Sequence, residues 1–469
     1  MTVLVEPRFS RRSLLQRALV WSISAGLLGA CAPAPQPTPT PPPAAKAETP
    51  KPAQQPKPGT RVVEIRTHDW LQSEEFYGPW WQKFEQEHPN IKVKREWFPR
   101  NEMHVKIMTL AATGQVGDVV RINLAPLVSE MRLKGVIQPL DPYIMSDKKW
   151  ADYDYKQFWP AQIQTYSKEG KLWGLPVVGH PGCLQYYFNK NLIEKAGVKT
   201  PPLDGNWTHD DLITIAKATT VDIDKDGRID QYGLQPCSGV EEGVVAILRA
   251  FGGDLYNAEG TKCLLNTPES KAAIAWFADL WHKHKVAYPL ELQPNYQETF
   301  PGQKVAIVVL TSIAGAINNL VKDKFEWAIA PNPLGPTGKH ATQVSSDGIA
   351  MSKITKYPEE AWEVIKSYVS KEHGLQRHFA GLGSPGSRYD VWGDPEFHKR
   401  QPKLVPIWEV LIKPGELGAW HHPANGRFFE ASDAARNILQ DVWLGKKKPE
   451  EGAEEAYRAV QAIMDKPPV

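Results

Sequence analysis

Apolar and charged residues alternate at Val62-Val63-Glu64-Ile65-Arg66, a period of two that predicts a strand. From Glu75 to His88 the spacing of apolar and aromatic residues changes to that of a helix, which Pro89 stops. Ile91-Lys92-Val93-Lys94 predicts a second strand and Glu102 to Thr113 a second helix, broken by Gly114 and Gly117. Asp118-Val119-Val120 opens a third strand. Strand and helix in this alternation predict an α/β fold with a largely parallel sheet covered by helices. Such sheets carry ligand loops at the carboxyl ends of their strands. That rule nominates His68-Asp69-Trp70 and Arg121-Ile122-Asn123.

Further along, Leu172 to Val178 predicts a strand that leaves this unit. Tyr186-Tyr187-Phe188-Asn189 follows, then a helix from Lys190 to Ala196 and another starting at Thr208, whose hydroxyl suits an N-cap. Lys304 to Leu310 and Gly348 to Met351 predict strands, and Pro358 to Val369 a helix. The last hundred residues are rich in helix, and the chain shows no internal repeat.

The first sixty residues have a different pattern. Arg11 and Arg12 precede an apolar stretch from Ala18 to Ala30, too short for a bilayer span of about 20 residues. Ser10-Arg11-Arg12-Ser13-Leu14-Leu15 resembles a twin-arginine export signal, and Leu28-Gly29-Ala30-Cys31 a lipobox with Cys31 as the lipidated residue. Residues 1–31 are therefore expected to be a lipoprotein signal. Residues 32–60, rich in Pro, have little to bury and are expected to form a disordered, extended linker. Together these place the globule outside the cytoplasmic membrane, anchored to its outer face.

Composition narrows the reading. The remaining 409 of 469 residues suffice for two domains. A net charge of +2 gives no basic footprint for nucleic acid. Cys183, Cys237 and Cys263 offer no zinc spacing, and Cys237 with Cys263 is the nearer pair should a bridge form. The 17 Trp supply flat apolar faces with a polar tip, suited to a core or to stacking on sugar rings.

The order of motifs then resembles extracellular solute-binding proteins of family 1, the carbohydrate-importer type that includes maltodextrin-binding proteins. The matches include Phe84 to Val93, Gly117-Asp118-Val119-Val120, and Lys134-Gly135-Val136-Ile137-Gln138-Pro139-Leu140-Asp141. Gly170-Lys171-Leu172-Trp173-Gly174-Leu175-Pro176 and Tyr187-Phe188-Asn189-Lys190-Asn191-Leu192 with Ala196-Gly197 continue the series. The resemblance implies a two-lobed periplasmic-binding-protein fold of type II, maltodextrin-binding-like, with a hinge between lobes. Crossings would fall near Pro176–Val178, Val309–Ser312 and Val344–Gly348. Lobe 1 would comprise 61–176 plus about 313–344, and lobe 2 177–312 plus about 345–469. The implied function is the substrate-binding component of an ABC importer. It would be a monomer with no catalytic residues and no cofactor, delivering a small carbohydrate to the permease transmembrane subunits. A ligand carrying glycerol-phosphodiester or peptide groups is the alternative if Arg121 and Arg388 converge on an anion. An exported glycan hydrolase is the alternative of another class, and needs two opposed carboxylates.

The expected ligand contacts are Trp70, Arg121, Asn123, His180, Asp254, Ser312, Ser346, Asp347, Arg388 and Phe429. Trp70, Arg121 and Asn123 follow from their strand ends; each could equally serve packing or a surface ion pair. His180, Ser312, Ser346 and Asp347 follow from the implied crossings. Asp254, Arg388 and Phe429 occupy regions where relatives line the cleft. Where many relatives carry Gly-x-Trp, this chain has Thr311-Ser312-Ile313, a departure that weakens a maltodextrin-type ligand. Tyr187 and Trp207 are expected in the core. His421 and His422, with no metal spacing, are expected to be solvated. Gly381 to Gly386 fits a Gly-rich phosphate motif by letters only and is expected to be a loop.

Asp222, Asp224, Asp226 and Asp230, with Gly227 at the turn and the Arg228 carbonyl, have the spacing of a calcium loop. Gly233 stands where the bidentate Glu belongs. A structural calcium and a plain acidic turn both remain open.

Overall fold

The computed structural model describes residues 61–69, 74–182 and 184–469; Cys31, the twin arginines, the Pro-rich linker, Trp70 and Cys183 lie outside them. The alternation read at the start of the globule becomes the strand Val63–Asp69. It pairs in parallel with Ile91–Trp97 over its whole length, from Val63 opposite Ile91 to Asp69 opposite Trp97. On its other side lies Val119–Ile122, also parallel. The helix Glu74–Glu87 returns between the first two strands and buries Tyr77, Trp80, Trp81 and Phe84, spaced to share one face. Burying one such large side chain contributes about 1.5–3 kcal/mol.

The sheet is completed from far away in the chain. Ser345–Ser352 inserts antiparallel beside Val119–Ile122, and its other edge takes Leu175–His180 and then Ile137–Gln138. All eight residues of the inserted strand are buried. Helices Pro160–Tyr166 and Pro358–Tyr368 add to the layers around this sheet.

A second sheet has the order Trp327–Pro331, Gln185–Asn189, Val305–Leu310, Tyr232–Gln235. Its strands contribute side chains to two cores. Tyr186 and Phe188 face Leu212, Phe277 and Leu439, while Tyr187 on the opposite face joins Val308, Ile317 and Ile329. Helices Pro268–His282, Phe428–Trp443 and Pro449–Met464 pack together against the first of these faces. The expected core aromatics are in place: Tyr187 is fully buried, and the Trp207 indole donates to the Pro331 carbonyl at 2.9 Å. Thr208 caps the helix His209–Ala218 in a reciprocal box with Asp211.

The expected lobe boundaries are corrected by strand pairing. After Leu310 the chain turns through the helix Ala314–Val321 and returns to the same sheet, where Trp327–Pro331 pairs with Gln185–Asn189. Residues 313–331 therefore stay in lobe 2. Ser345–Ser352 belongs to the first sheet, so this strand and Pro358–Tyr368 are lobe 1, not lobe 2. The crossings run through 181–184, 332–344 and the segment that precedes Phe428. The sequence pattern marks strands but not the sheet that each one joins.

Cys263 is a buried free thiol whose pKa is pushed up to about 12 by burial. His422, expected in solvent, is fully buried.

Burial holds five imidazoles neutral: His68, His209 and His378 are lowered to about 4, and His373 and His422 well below their ordinary value. Each native pKa lies below that of the unfolded chain, so the unfolded state binds more protons under about pH 6.5. Their stability contribution is present above pH 6.5 and lost as the pH falls toward 4. Thermal unfolding followed by circular dichroism should give a melting temperature that drops steeply over that window; a flat profile would contradict the assignment.

Candidate ligand-binding cleft

The carboxyl ends of Val63–Asp69, Ile91–Trp97, Val119–Ile122 and Leu175–His180 lie on one edge of the first sheet, where the antiparallel strand begins with Ser345 opposite His180. In the second sheet, Val305–Leu310 and Tyr232–Gln235 end on the edge where Gln185 begins. Residues 181–184 alone join His180 to Gln185. The five residue steps from His180 to Gln185 reach at most about 18 Å, so the two carboxyl edges sit close together.

Three expected residues line this junction. Asp347, 5% exposed, accepts from Arg100 Nη2 at 3.0 Å. Arg100 also donates to the Asn123 carbonyl at 3.2 Å, and the Asn123 amide donates back to the Arg100 carbonyl at 3.0 Å. His180 is partly buried, its Nδ1 accepts from the Gly182 N–H, and burial lowers its pKa. From the other sheet's side, Glu242 accepts from the Ser345 hydroxyl at 3.0 Å. Glu242 and Arg100 act electrostatically on both His180 and Asp347, which makes the four a single charged cluster.

Other expected contacts sit at the edge but face inward. Arg121 is 2% exposed; burial, the largest effect, works against its charge and is outweighed only by Asp69, Tyr77, Asp347 and Tyr368 together, with Asp69 Oδ1 3.9 Å from Nε. Among the described residues nothing bonds its Nε or Nη1. The Ser346 hydroxyl is held between Gln162 at 2.8 Å and Tyr166 at 3.0 Å, below the cleft. Ser312 is buried and accepts from Gln185 Nε2 at 2.6 Å. Both hydroxyls are engaged by neighbouring side chains.

Three more are placed elsewhere. Arg388 is buried and bonded to Asp390, Asp154 and the Val369 carbonyl, so Arg121 and Arg388 do not converge on an anion. Phe429, the second residue of the helix Phe428–Trp443, is 41% exposed and lies 6.2 Å from the His104 ring. Asp254 follows the far end of the helix Val245–Ala250, whereas Glu242 sits in the turn that precedes it. There it pairs with Arg249 at 2.9 Å and His421 at 3.3 Å, beside a cavity of about 560 Å³. Arg249 also donates to the carbonyls of Thr342 and Ala419, one in each of the two later crossings. Val344 N–H donates to the Gly418 carbonyl at 2.9 Å, which ties the two segments together. Trp420 N–H donates to Thr165 of lobe 1 at 2.8 Å, while Ala419 and His421 on either side of it bond to lobe 2, so this segment is held by both lobes.

The sequence reading missed Arg100, Glu242 and Trp97. A signal existed for Trp97, because alternation continues to it and Pro99 marks the turn into the next helix. Glu242 lies in a wide helical turn, Val240–Val244, whose approach to Ser345 is purely tertiary.

In the acidic loop the carboxylates of Asp222, Asp224 and Asp226 each offer an oxygen within 4.8 Å of the others. Asp222 accepts from Lys225 and Gly227, Asp224 from Asp226, and Asp226 from Arg228. Asp230 bonds the Ile223 N–H at 2.7 Å and stands outside the triad.

A family model described as bacterial extracellular solute-binding protein matches residues 69–374. The chain belongs to that family. This solute-binding protein is 25% identical over 408 residues to a Brucella abortus protein named only as a binding protein, covering 83% of this chain and 90% of that one. It is 23% identical over 390 residues to an arabinooligosaccharide-binding protein of Halalkalibacterium halodurans, covering 80% and 83%. An ABC substrate-binding protein from Listeria monocytogenes, solved in complex with cycloalternan, superposes with a TM-score of 0.68 at 21% identity, covering 86% of this chain and 99% of that one. The fold is thus the two-lobed one of periplasmic binding proteins.

Burial raises the Asp347 carboxyl to about 6, against the pull of Arg100 and Arg121. A raised native pKa means that its charge destabilises the fold as the pH rises from about 4 through 6. Asp347→Asn should therefore unfold at higher urea than the parent above pH 6, by on the order of 2 kcal/mol, with the difference closing near pH 4. Urea titrations at three pH values measure this.

Proposed function

We propose that the protein is the extracytoplasmic substrate-binding component of an ABC importer, taking a sugar or oligosaccharide between its lobes and handing it unaltered to a membrane permease. The observation that carries this is the pair of facing carboxyl edges, with Arg100, Asp347 and Asn123 on one side and Glu242 across from them. Donors and acceptors of both signs suit hydroxyls, which give and accept hydrogen bonds at once. Ligand that touches both lobes favours the closed arrangement; ligand that touches one does not. The names of relatives support the class, one binding arabinooligosaccharide and one solved with cycloalternan. Among the described residues no helix is long and apolar enough to cross a membrane. Export through the twin-arginine signal and lipidation of Cys31 complete the proposal, with the linker as spacer; one acyl chain holds weakly, so firm anchoring takes a second.

The hydrolase alternative has one observation in its favour, a carboxyl raised to about 6 with Glu242 near it. Against it, Asp347 is buried and bonded to Arg100.

A thermal-shift screen of sugars and oligosaccharides, run beside chromogenic glycosides, tests both. The expected result is stabilisation by a saccharide, about 2.7 kcal/mol at a hundredfold excess over Kd, without turnover. Turnover would establish the hydrolase, and stabilisation only by phosphodiesters or peptides would replace the sugar.

A further inference from the structure

The carboxyl edge of the first sheet is a row of five strand ends. In spatial order they come from Ile91–Trp97, Val63–Asp69, Val119–Ile122, Ser345–Ser352 and Leu175–His180. The crossing 181–184 leaves from the last, so the hinge end of the cleft is at His180 and the outer end at Trp97. Adjacent strands are about 4.8 Å apart, which puts Trp97 about 14 Å from Asp347, three strand steps away.

Trp97 is unusual for where it sits. It is 45% exposed at the end of an edge strand in which only Ile91 is buried, while every other Trp among the described residues is buried or half-buried. Two residues before it, on the same face, Arg95 lies over the Tyr77 ring at 4.5 Å and pairs with Glu74, the first residue of the covering helix. Trp97 is therefore one step beyond the reach of that helix. Among the described residues its indole has no ring partner and no hydrogen bond. Its flat apolar face is open at the end of the cleft edge, the geometry that stacking on a ring requires.

Between Trp97 and Asp347 the floor is polar. Arg100 starts the helix Arg100–Ala112 three residues after Trp97, and its guanidinium reaches across to Asp347 at 3.0 Å and the Asn123 carbonyl at 3.2 Å. That side chain is half exposed although it is fixed at both contacts. A held guanidinium presents donors without the entropy cost of ordering a loose one. The row thus reads acceptor, donor, amide, then a flat apolar face at the outer end.

We infer that the cleft is built for a linear saccharide of at least three rings, with Trp97 as the outer stacking platform. The inference rests on the sugar reading above. A hexose ring spans roughly one strand step, so a single ring bound at Asp347 and Arg100 cannot reach Trp97. A chain of three or more can contact both. An indole fits the apolar face of a ring and is tolerant of linkage, which makes Trp97 a reader of length.

Isothermal titration of the folded protein with two series, malto- and arabino-oligosaccharides of one to five units, tests this. In at least one series affinity should rise tenfold or more between one and three rings and then level off. Trp97→Ala should lower affinity for the three-ring ligand about tenfold and leave the one-ring affinity unchanged. Trp97→Phe should recover most of the loss, and both variants should melt like the parent because the side chain is exposed. A one-ring ligand that binds as tightly as three, or a Trp97→Ala protein with undiminished three-ring affinity, overturns the inference and leaves the sugar reading standing. Failure of the parent to bind any saccharide of either series overturns the sugar reading and the inference with it.

Discussion

The whole arrangement depends on the antiparallel insertion of Ser345–Ser352 into the first sheet. That strand pairs with Val119–Ile122 on one edge and with Leu175–His180 on the other. Without it the leading strands would expose an unpaired edge, and the chain would have no reason to return from the second sheet. Because it runs against its neighbours, its first residues land on the carboxyl edge. Asp347 and Ser345 are in the cleft for that reason alone. The cost is a buried carboxylate, and the register shift between Asp347 and Gly348 marks where the strand adjusts.

The junction between lobes is held by a few specific contacts. Arg249 binds Asp254 and the carbonyls of both later crossings, which ties those segments to lobe 2. Trp420, one residue past Ala419, is bonded to lobe 1. Ser345 to Glu242 is the corresponding link near the first crossing. A hinge of this kind needs backbone that can turn at sharply located points, with rigid segments on either side. Gly418 fits that need: a Cβ there would lie 2.6 Å from Arg249 Nη1 and 2.8 Å from the Thr342 carbonyl.

Much of the local structure was legible in the chain. The alternation at Val63–Arg66, the helix stopped before Pro89, the cap at Thr208 and the core role of Tyr187 all follow from neighbours within a few residues. Asn123, nominated by its strand end, and Asp347, nominated by an implied crossing, lie on the carboxyl edge of the first sheet. Ser346 was nominated by the same logic and faces Gln162 and Tyr166, because adjacent strand residues point to opposite faces. Arg388 is a charge whose position in sequence suggested a cleft edge and whose partners, Asp154 and Asp390, bury it.

The sequence by itself determined which segments are strands and helices, because backbone preference and hydrophobic period are local properties. It also carried the family, through motifs whose order survives when identity is low. Tertiary structure alone decided that Trp327–Pro331 stays with lobe 2, that Glu242 meets Ser345, and that Arg249 clasps two distant crossings. Those facts depend on which edges pair across more than a hundred residues, and no local pattern encodes the partner of a strand edge or the reach of a side chain.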